Sequence, residues 1–300
     1  MRTKSESREK VYTMSEMKGE LRAFESWWKV TPYKGKKRSS LTLSEYLRVL
    51  GHYVEEHPEG EYTLASCREW VAAEMDRAPS AGRWAARALK AFDKWQAGEY
   101  DEPEVLAKLE VPADPTPTKI PMAKPEEVAK MVAACGGEWV GLRDAAMIHC
   151  LRSTGMRVGE LQRMVMEDID LETGVVTIPK TKNGQVRKSR LDPHAMQALR
   201  KYRRGMGVAE YPHVWESALG GQMRPHSIQK RFTARAVAAG VPHVTPHSFR
   251  RGFAMQFFRG GGAQTYLMTL CGWNSNEMPG RYLKAVAEDE SLAMHERIFG

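Results

Sequence analysis

Thr245-Pro246-His247-Ser248-Phe249-Arg250 reads as the opening of a helix. Thr245 suits an N-cap, and Pro246 suits the first helical position, where its missing N–H costs nothing. His247 and Arg250 then stand three residues apart and share a face. The spacing predicts a helix over 246–259. Beyond it the pattern predicts a helix over 263–271, then Cys271-Gly272-Trp273, then a short helix over 279–287 that Pro279 opens and that carries Gly280-Arg281-Tyr282. Before it come helices over 192–204 and 225–239. Val175-Val176-Thr177-Ile178 reads as a strand, Asn183-Gly184 as a two-residue hairpin turn, and 186–191 as the returning strand. Further helices are expected from Pro125 to Cys135 and from Trp139 to Leu151. The whole stretch is α-rich with one small β excursion.

Upstream, Val111-Pro112-Ala113-Asp114-Pro115-Thr116-Pro117-Thr118-Lys119-Ile120-Pro121 carries four prolines and reads as a semi-rigid spacer between domains. The expected division is 1–111, a linker over 112–121, and 122–300. The first part is helical in pattern. Thr42 with Glu45 makes a capping box, Leu41 can staple onto Tyr46, and a stripe from Leu43 to Val54 follows. A later helix over 80–97 has Trp84, Ala88, Phe92 and Trp95 on its apolar side. Arg83, Arg87, Lys90 and Lys94 recur on another face, either as a phosphate-tracking stripe or as a solvated face. The loop containing Lys36, Lys37 and Arg38 carries the same two readings.

Net charge is +8, and it is unevenly placed. Residues 1–112 hold 19 basic and 19 acidic groups, whereas 173–251 hold 15 basic against 3 acidic. A basic field this concentrated suits a surface that meets a polyanion. The polar stretch Met1–Met14 has no apolar core for a secretory signal, and no uncharged apolar run approaches membrane-spanning length. Cys67, Cys135, Cys150 and Cys271 are far apart and form no metal-like pair; they fit a reducing cytoplasm as buried packing residues. His243 and His247 are four apart, but Pro246 between them argues against a helical metal pair.

Breaking a phosphodiester without metal requires a nucleophile, cations for the charge gained in the transition state, and an acid for the departing oxygen. Arg157, in Thr154-Gly155-Met156-Arg157-Val158-Gly159-Glu160-Leu161, and Arg250 supply forked cations at predicted helix starts. Glu160, three residues on, orients Arg157 or a neighbour. Lys182, beside the hairpin turn, is the candidate acid, with Lys180 as the alternative. Tyr282 is the candidate nucleophile, with Tyr202 and Tyr266 behind it, and His247 is the aid to its proton transfer. The indole N–H of Trp273 can donate to a phosphate oxygen.

The order and spacing of Arg157, Lys182, His247, Arg250, Trp273 and Tyr282 resemble the catalytic domain of tyrosine recombinases, the phage-integrase family. The chain departs at Trp273, where many members carry His, and at Pro279, where Thr is common. The resemblance covers about residues 120–290. It implies a mainly α fold with a small β-sheet: a helical core-type DNA-binding domain at 1–111 and an integrase-type catalytic domain with a C-terminal tail at 122–300. It further implies a C-clamp around duplex DNA and a site-specific recombinase or integrase. Strands would be cut and rejoined through a 3′-phosphotyrosyl intermediate and a Holliday junction, with no metal, ATP or cofactor. The implied partners are a double-stranded core recombination site and a homotetramer assembled on it, with room for an accessory directionality factor and no membrane. The implied location is the cytoplasm, at the nucleoid in a cellular setting. The short stretch before the first strong helix pattern favours the simple two-domain type. In the family, C-terminal tails pack on a neighbouring protomer, so the segment 292–299 is expected to dock in trans, or else on its own domain. The alternatives are a type IB topoisomerase-like enzyme and a non-catalytic DNA-binding relative.

Overall fold

The computed structural model describes residues 12–33, 35, 37–113, 121–179, 186–205, 212–275, 280 and 287–299. The chain divides into two compact units, Met1–Pro117 and Thr118–Gly300. Both are dominated by helices, and each holds one two-stranded sheet among the described residues.

In the first unit, β1 (Tyr12–Thr13) pairs antiparallel with β2 (Glu61–Tyr62). Four helices complete it: α1 (Met14–Val30), α2 (Ser40–Glu56), α3 (Leu64–Arg77) and α4 (Pro79–Tyr100). Thr13-Met14-Ser15-Glu16 opens α1 with a capping box, the Thr13 amide donating to Glu16 Oε2 at 2.8 Å and the Glu16 amide to Thr13 Oγ1 at 3.3 Å. Met17, Phe24 and Trp28 bury its inner face. Phe24 meets Trp28, Phe92 and Trp95 at centroid distances of 5.8, 5.6 and 5.5 Å. Full burial of such a ring stabilises by about 1.5–3 kcal/mol.

The start of α2 corrects the expected cap. Ser39, not Thr42, caps the helix, its hydroxyl accepting from the Thr42 amide at 3.3 Å. A tertiary contact favours this start: the Trp28 indole N–H donates to the Ser39 carbonyl at 3.1 Å. Leu41 is 78% exposed and makes no staple. The α1 helix also lies ahead of the first helix that the sequence reading singled out.

Where α4 crosses α3, Gly82 admits no side chain: a Cβ there would lie 2.1 Å from Met75 Cγ and 2.9 Å from the Val71 carbonyl oxygen. Further along α4, buried Asp93 accepts from the Val105 and Leu106 amides at 3.1 and 2.9 Å. Lys90 Nζ donates to the carbonyls of Leu106, Ala107 and Leu109. Together they pin the segment that follows the helix. Burial raises the Asp93 pKa to about 6, although the two amides oppose it.

In the second unit, α6 (Trp139–Thr154) is buried on nearly all sides, between α5 (Pro125–Ala133), α8 (Pro193–Arg204), α9 (Pro225–Ala238) and α10 (Pro246–Arg259). Its buried Asp144 accepts from Arg231 Nη2 at 2.6 Å and Arg235 Nε at 2.8 Å, both from α9. A carboxylate removed from water needs such partners to be tolerated. The short α7 (Val158–Gln162) follows α6. Then β3 (Val175–Ile178) pairs antiparallel with β4 (Arg187–Arg190), Val175 opposite Arg190 and Ile178 opposite Arg187. The proposed Asn183-Gly184 turn lies outside the described residues. After α10 come α11 (Gln264–Cys271) and α12 (Ala287–Phe299). An Arg297 guanidinium N–H of α12 donates to the Arg259 carbonyl at the end of α10, and Leu292, Ile298 and Phe299 remain 62–76% exposed. All four cysteines are buried and free. Among the described residues no helix is long and apolar enough to cross a membrane.

Candidate active site

Two left-handed glycines shape the site. Gly155, at φ 58°, ends α6, and Gly272, at φ 62°, ends α11. A residue with a Cβ is strained there, which explains glycine at both places. The first turn sends the chain into Met156 and Arg157, and Arg157 caps α7 in an extended conformation. The two helix ends also expose carbonyls, and Arg250 uses both. Its Nη1 donates to the Gly155 carbonyl at 2.7 Å, and its Nη2 to the Cys271 carbonyl. Helix C-termini carry partial negative charge, so they suit a guanidinium. Trp273 closes the arrangement, its ring 5.0 Å from the Arg250 guanidinium carbon. Arg250 is 1% exposed and Trp273 is 6% exposed. Burial pulls the Arg250 pKa down, yet a guanidinium stays charged at any working pH.

His247 and Arg250 stand on the first turns of α10. Its cap is as the sequence predicts, the Thr245 amide donating to Ser248 Oγ at 3.1 Å with Pro246 in first place. The His247 imidazole is pushed below its ordinary value by partial burial and by the charges of Arg251, Arg250 and Arg157. Arg157, His247 and Arg250 line one cleft of about 520 Å³, together with Gln229 and Thr233 from α9.

Behind Arg157 lies Glu160, 1% exposed. Its carboxylate accepts from the Arg157 amide at 2.8 Å and from Arg157 Nη1 at 3.0 Å. It also accepts both ends of the Arg187 fork, at 3.0 and 2.6 Å. Burial alone would raise the Glu160 pKa, but the Arg187 bonds, the Arg157 amide and the two guanidinium charges hold it at about 2. Glu160 therefore orients both the arginine and a neighbour.

The structure thus brings together Arg157, Glu160, His247, Arg250 and Trp273. Lys182, its alternative Lys180, and Tyr282 lie outside the described residues. Of the other phenols considered, Tyr202 is fully buried and accepts from the Glu216 amide at 3.2 Å, whereas Tyr266 is 68% exposed. His243 sits 2.7 Å from Glu127 Oε1. In the first unit Arg87 and Lys94 are exposed on α4 and Arg83 is half-buried, while Lys90 is engaged with carbonyls as described. Arg38 lies over Trp27 and Trp28 at 4.3 and 4.6 Å, and its Nε donates to the Thr31 carbonyl. Lys37 is exposed, and Lys36 lies outside the described residues. Among the described residues one mixed cluster has metal-ligand spacing: His52, Glu56 and Glu74 in the first unit. Its carboxylates are already engaged, Glu56 by the Trp70 indole and Glu74 by Arg77.

Sequence reasoning missed three residues around this cleft. Arg187 gave no local signal, because its partner Glu160 is 27 residues away. Gln229 and Thr233 are four apart on a predicted helix, and their shared polar face was a usable signal.

Residues 122–289 match the phage integrase family. Over 211 residues the chain is 30% identical to tyrosine recombinase XerC of Xanthomonas axonopodis pv. citri (strain 306), covering 67% of each protein. It is 32% identical over 152 residues to the XerC of Xanthomonas campestris pv. campestris (strain B100), covering 50% of this chain and 47% of that one. The chain thus spans about half to two thirds of these relatives' length. In fold it is similar to a lambda integrase solved as a dimer bound to a COC′ core site, with TM-score 0.71, 17% identity, and 93% of this chain and 82% of that chain covered. A lambda integrase tetramer bound to a Holliday junction gives TM-score 0.71 at 16% identity, covering 91% and 78%. The capped helix bearing His247 and Arg250, the Arg157–Glu160 turn and these matches agree: the chain belongs to the phage integrase family of tyrosine recombinases.

Proposed function

We propose that this chain recombines DNA at a specific site by cutting and rejoining strands through a tyrosyl intermediate. The observation that carries the reading is the convergence of Arg157, His247 and Arg250 on one cleft. Two forked cations and an imidazole kept neutral near pH 7 suit phosphoryl transfer. In the proposed step, Tyr282 Oη attacks the scissile phosphorus and its proton passes to His247. Arg157 and Arg250 neutralise the charge gained at phosphorus, while Trp273 backs Arg250. The bond from phosphorus to the 5′ oxygen breaks, and Lys182 gives that oxygen a proton. A 3′-phosphotyrosyl ester and a free 5′-hydroxyl result. A 5′-hydroxyl from a partner duplex then reverses the step. Each cleavage exchanges one phosphoester for another, so no ATP is required, and side chains fill every role a metal would.

By analogy with the lambda integrase assemblies, four copies would act in pairs on two core sites through a Holliday junction. Residues 1–111 would grip core DNA through Lys36, Lys37, Arg38, Arg83, Arg87 and Lys94, with Lys90 held back by its three carbonyls; 112–121 would link, and 122–300 would perform the chemistry, in the cytoplasm at the nucleoid.

The test is to incubate the full chain with fragmented DNA of its source genome and trap covalent protein–DNA adducts under denaturing conditions. The recovered site is then rebuilt as a nicked duplex and as a pair of plasmids. Wild type should give an adduct and recombinant plasmid, and Tyr282→Phe should give neither while still binding. Adduct with relaxed plasmid but no recombinant would favour the topoisomerase reading; binding without adduct would make the chain a non-catalytic relative.

A further inference from the structure

We propose that Arg187 is a positioning residue of this reaction: it neutralises Glu160, so that Arg157 keeps its charge for the phosphate. The proposal rests on the recombinase reading above. Arg187 opens β4, where side chains alternate inward and outward, and it points inward with its side chain 6% exposed. All three of its guanidinium nitrogens donate within the protein. Nη1 and Nη2 form the paired bonds to Glu160, and Nε donates to the Leu270 carbonyl at 2.8 Å. It is therefore committed as a strut and is not placed as a phosphate clamp.

The strut touches both cations of the cleft. Through Glu160 it reaches Arg157, whose own side chain is 46% exposed and gives the carboxylate only one Nη contact. Through Leu270 it holds the end of α11, where the next carbonyl, that of Cys271, accepts from Arg250. A Cβ on Gly272 would lie 3.3 Å from Arg187 Cδ, so this turn is seated directly on the strut.

The charge arithmetic gives the reason for a second arginine. Glu160 is buried and ionised, so it draws on whatever cation is near. With Arg187 forked onto it, one carboxylate is matched by one guanidinium, and the charge of Arg157 is left over. Without Arg187, Arg157 and Glu160 would form a neutral pair at the position where a dianionic transition state needs a cation. The groups facing Glu160 are Arg157 from its own turn, Arg187 from β4, and, farther off, Arg250 from α10 and Cys271 from α11.

The experiment measures single-turnover adduct formation by the full chain on the nicked duplex carrying the recovered site, across DNA concentration. Arg187→Met should lower the rate at saturating DNA by about a hundredfold, the scale of an ångström of misplacement. The half-saturation concentration should not move. Arg187→Lys keeps the charge and loses the fork, and should fall between the two. Glu160→Gln added to Arg187→Met should restore about tenfold of the lost rate, because it removes the charge that captures Arg157. A merely structural strut predicts the reverse, with the double variant no faster. Melting temperature and gel shift report folding; if Arg187→Met does not bind DNA, the comparison runs between Arg187→Lys and its Glu160→Gln double. A saturating rate for Arg187→Met equal to wild type overturns the proposal, and so does a double variant that is no faster. If wild type itself forms no adduct, the recombinase reading falls first and takes the proposal with it, an outcome that the wild-type lane separates from the other two.

Discussion

Arg157 and Arg250 reach one cleft under opposite conditions, the first half-exposed and the second 1% exposed. Substitutions should divide accordingly. Arg157→Ala should slow cleavage by about a hundredfold to a thousandfold, as loss of a preorganised charge does, with little change in melting temperature. Arg250→Lys should slow cleavage on the same scale and also lower the melting temperature, since one ammonium cannot span the Gly155 and Cys271 carbonyls. For His247, a folded pKa below the ordinary value of about 6.5 means that the neutral form persists to lower pH. Stability from this group is complete above about pH 6.5 and declines as pH falls from there through the depressed folded value. The cleavage rate should show an acid limb below that ordinary value, and His247→Gln should remove it; a limb unchanged in the variant would assign the proton transfer elsewhere. Reading His247 with Arg250 from the sequence was feasible because one helical turn fixes both. Arg187 was not legible in that way, since its importance exists only once β4, α7 and α11 have met.

The elements were legible in proportion to how local their signals are. Val175–Ile178 and Pro246–Arg259 form where the sequence reads as a strand and as a capped helix. The start of α2 was misread because Ser39, Ser40 and Thr42 all have cap chemistry, and a distant indole favours Ser39. At the ends of α6 and α11 the glycines are required. Gly155→Ala should destabilise by about 1–3 kcal/mol through backbone strain, and a Cβ there would also lie 2.5 Å from Phe253 Cδ1. Thermal melting measures the loss, and Gly272→Ala, whose Cβ would come no closer than 3.3 Å to its nearest neighbour, Arg187 Cδ, should lose less. The C-terminal α12 is tied to the end of α10 of its own chain by the Arg297–Arg259 hydrogen bond and leaves Leu292, Ile298 and Phe299 exposed. Ending the chain at Asp289 should leave binding to one half-site unchanged and remove cooperative filling of two; gel-shift titration with cooperativity intact would return those residues to a solvent-exposed surface.

At the scale of the whole molecule, the basic excess lies entirely beyond residue 112. Binding should weaken with salt at a log–log slope of about −0.9 per phosphate contacted. Replacing Arg83, Arg87 and Lys94 together should flatten the slope if α4 tracks DNA. Lys90→Met should instead lower the melting temperature, because three carbonyls lose their donor. An unchanged slope in the triple variant would make that stripe a solvated face. The two-part organisation was expected from the proline-rich stretch, a signal of composition, whereas the seat of Arg250 depends on contacts that composition does not encode. That seat has a consequence in time. The carbonyls that hold the guanidinium lie 95 residues before it and 21 after it. During synthesis the first acceptor leaves the ribosome long before Arg250, and the second only after it. The clamp therefore closes late, and a copy interrupted before Cys271 lacks one of the two carbonyls that seat Arg250.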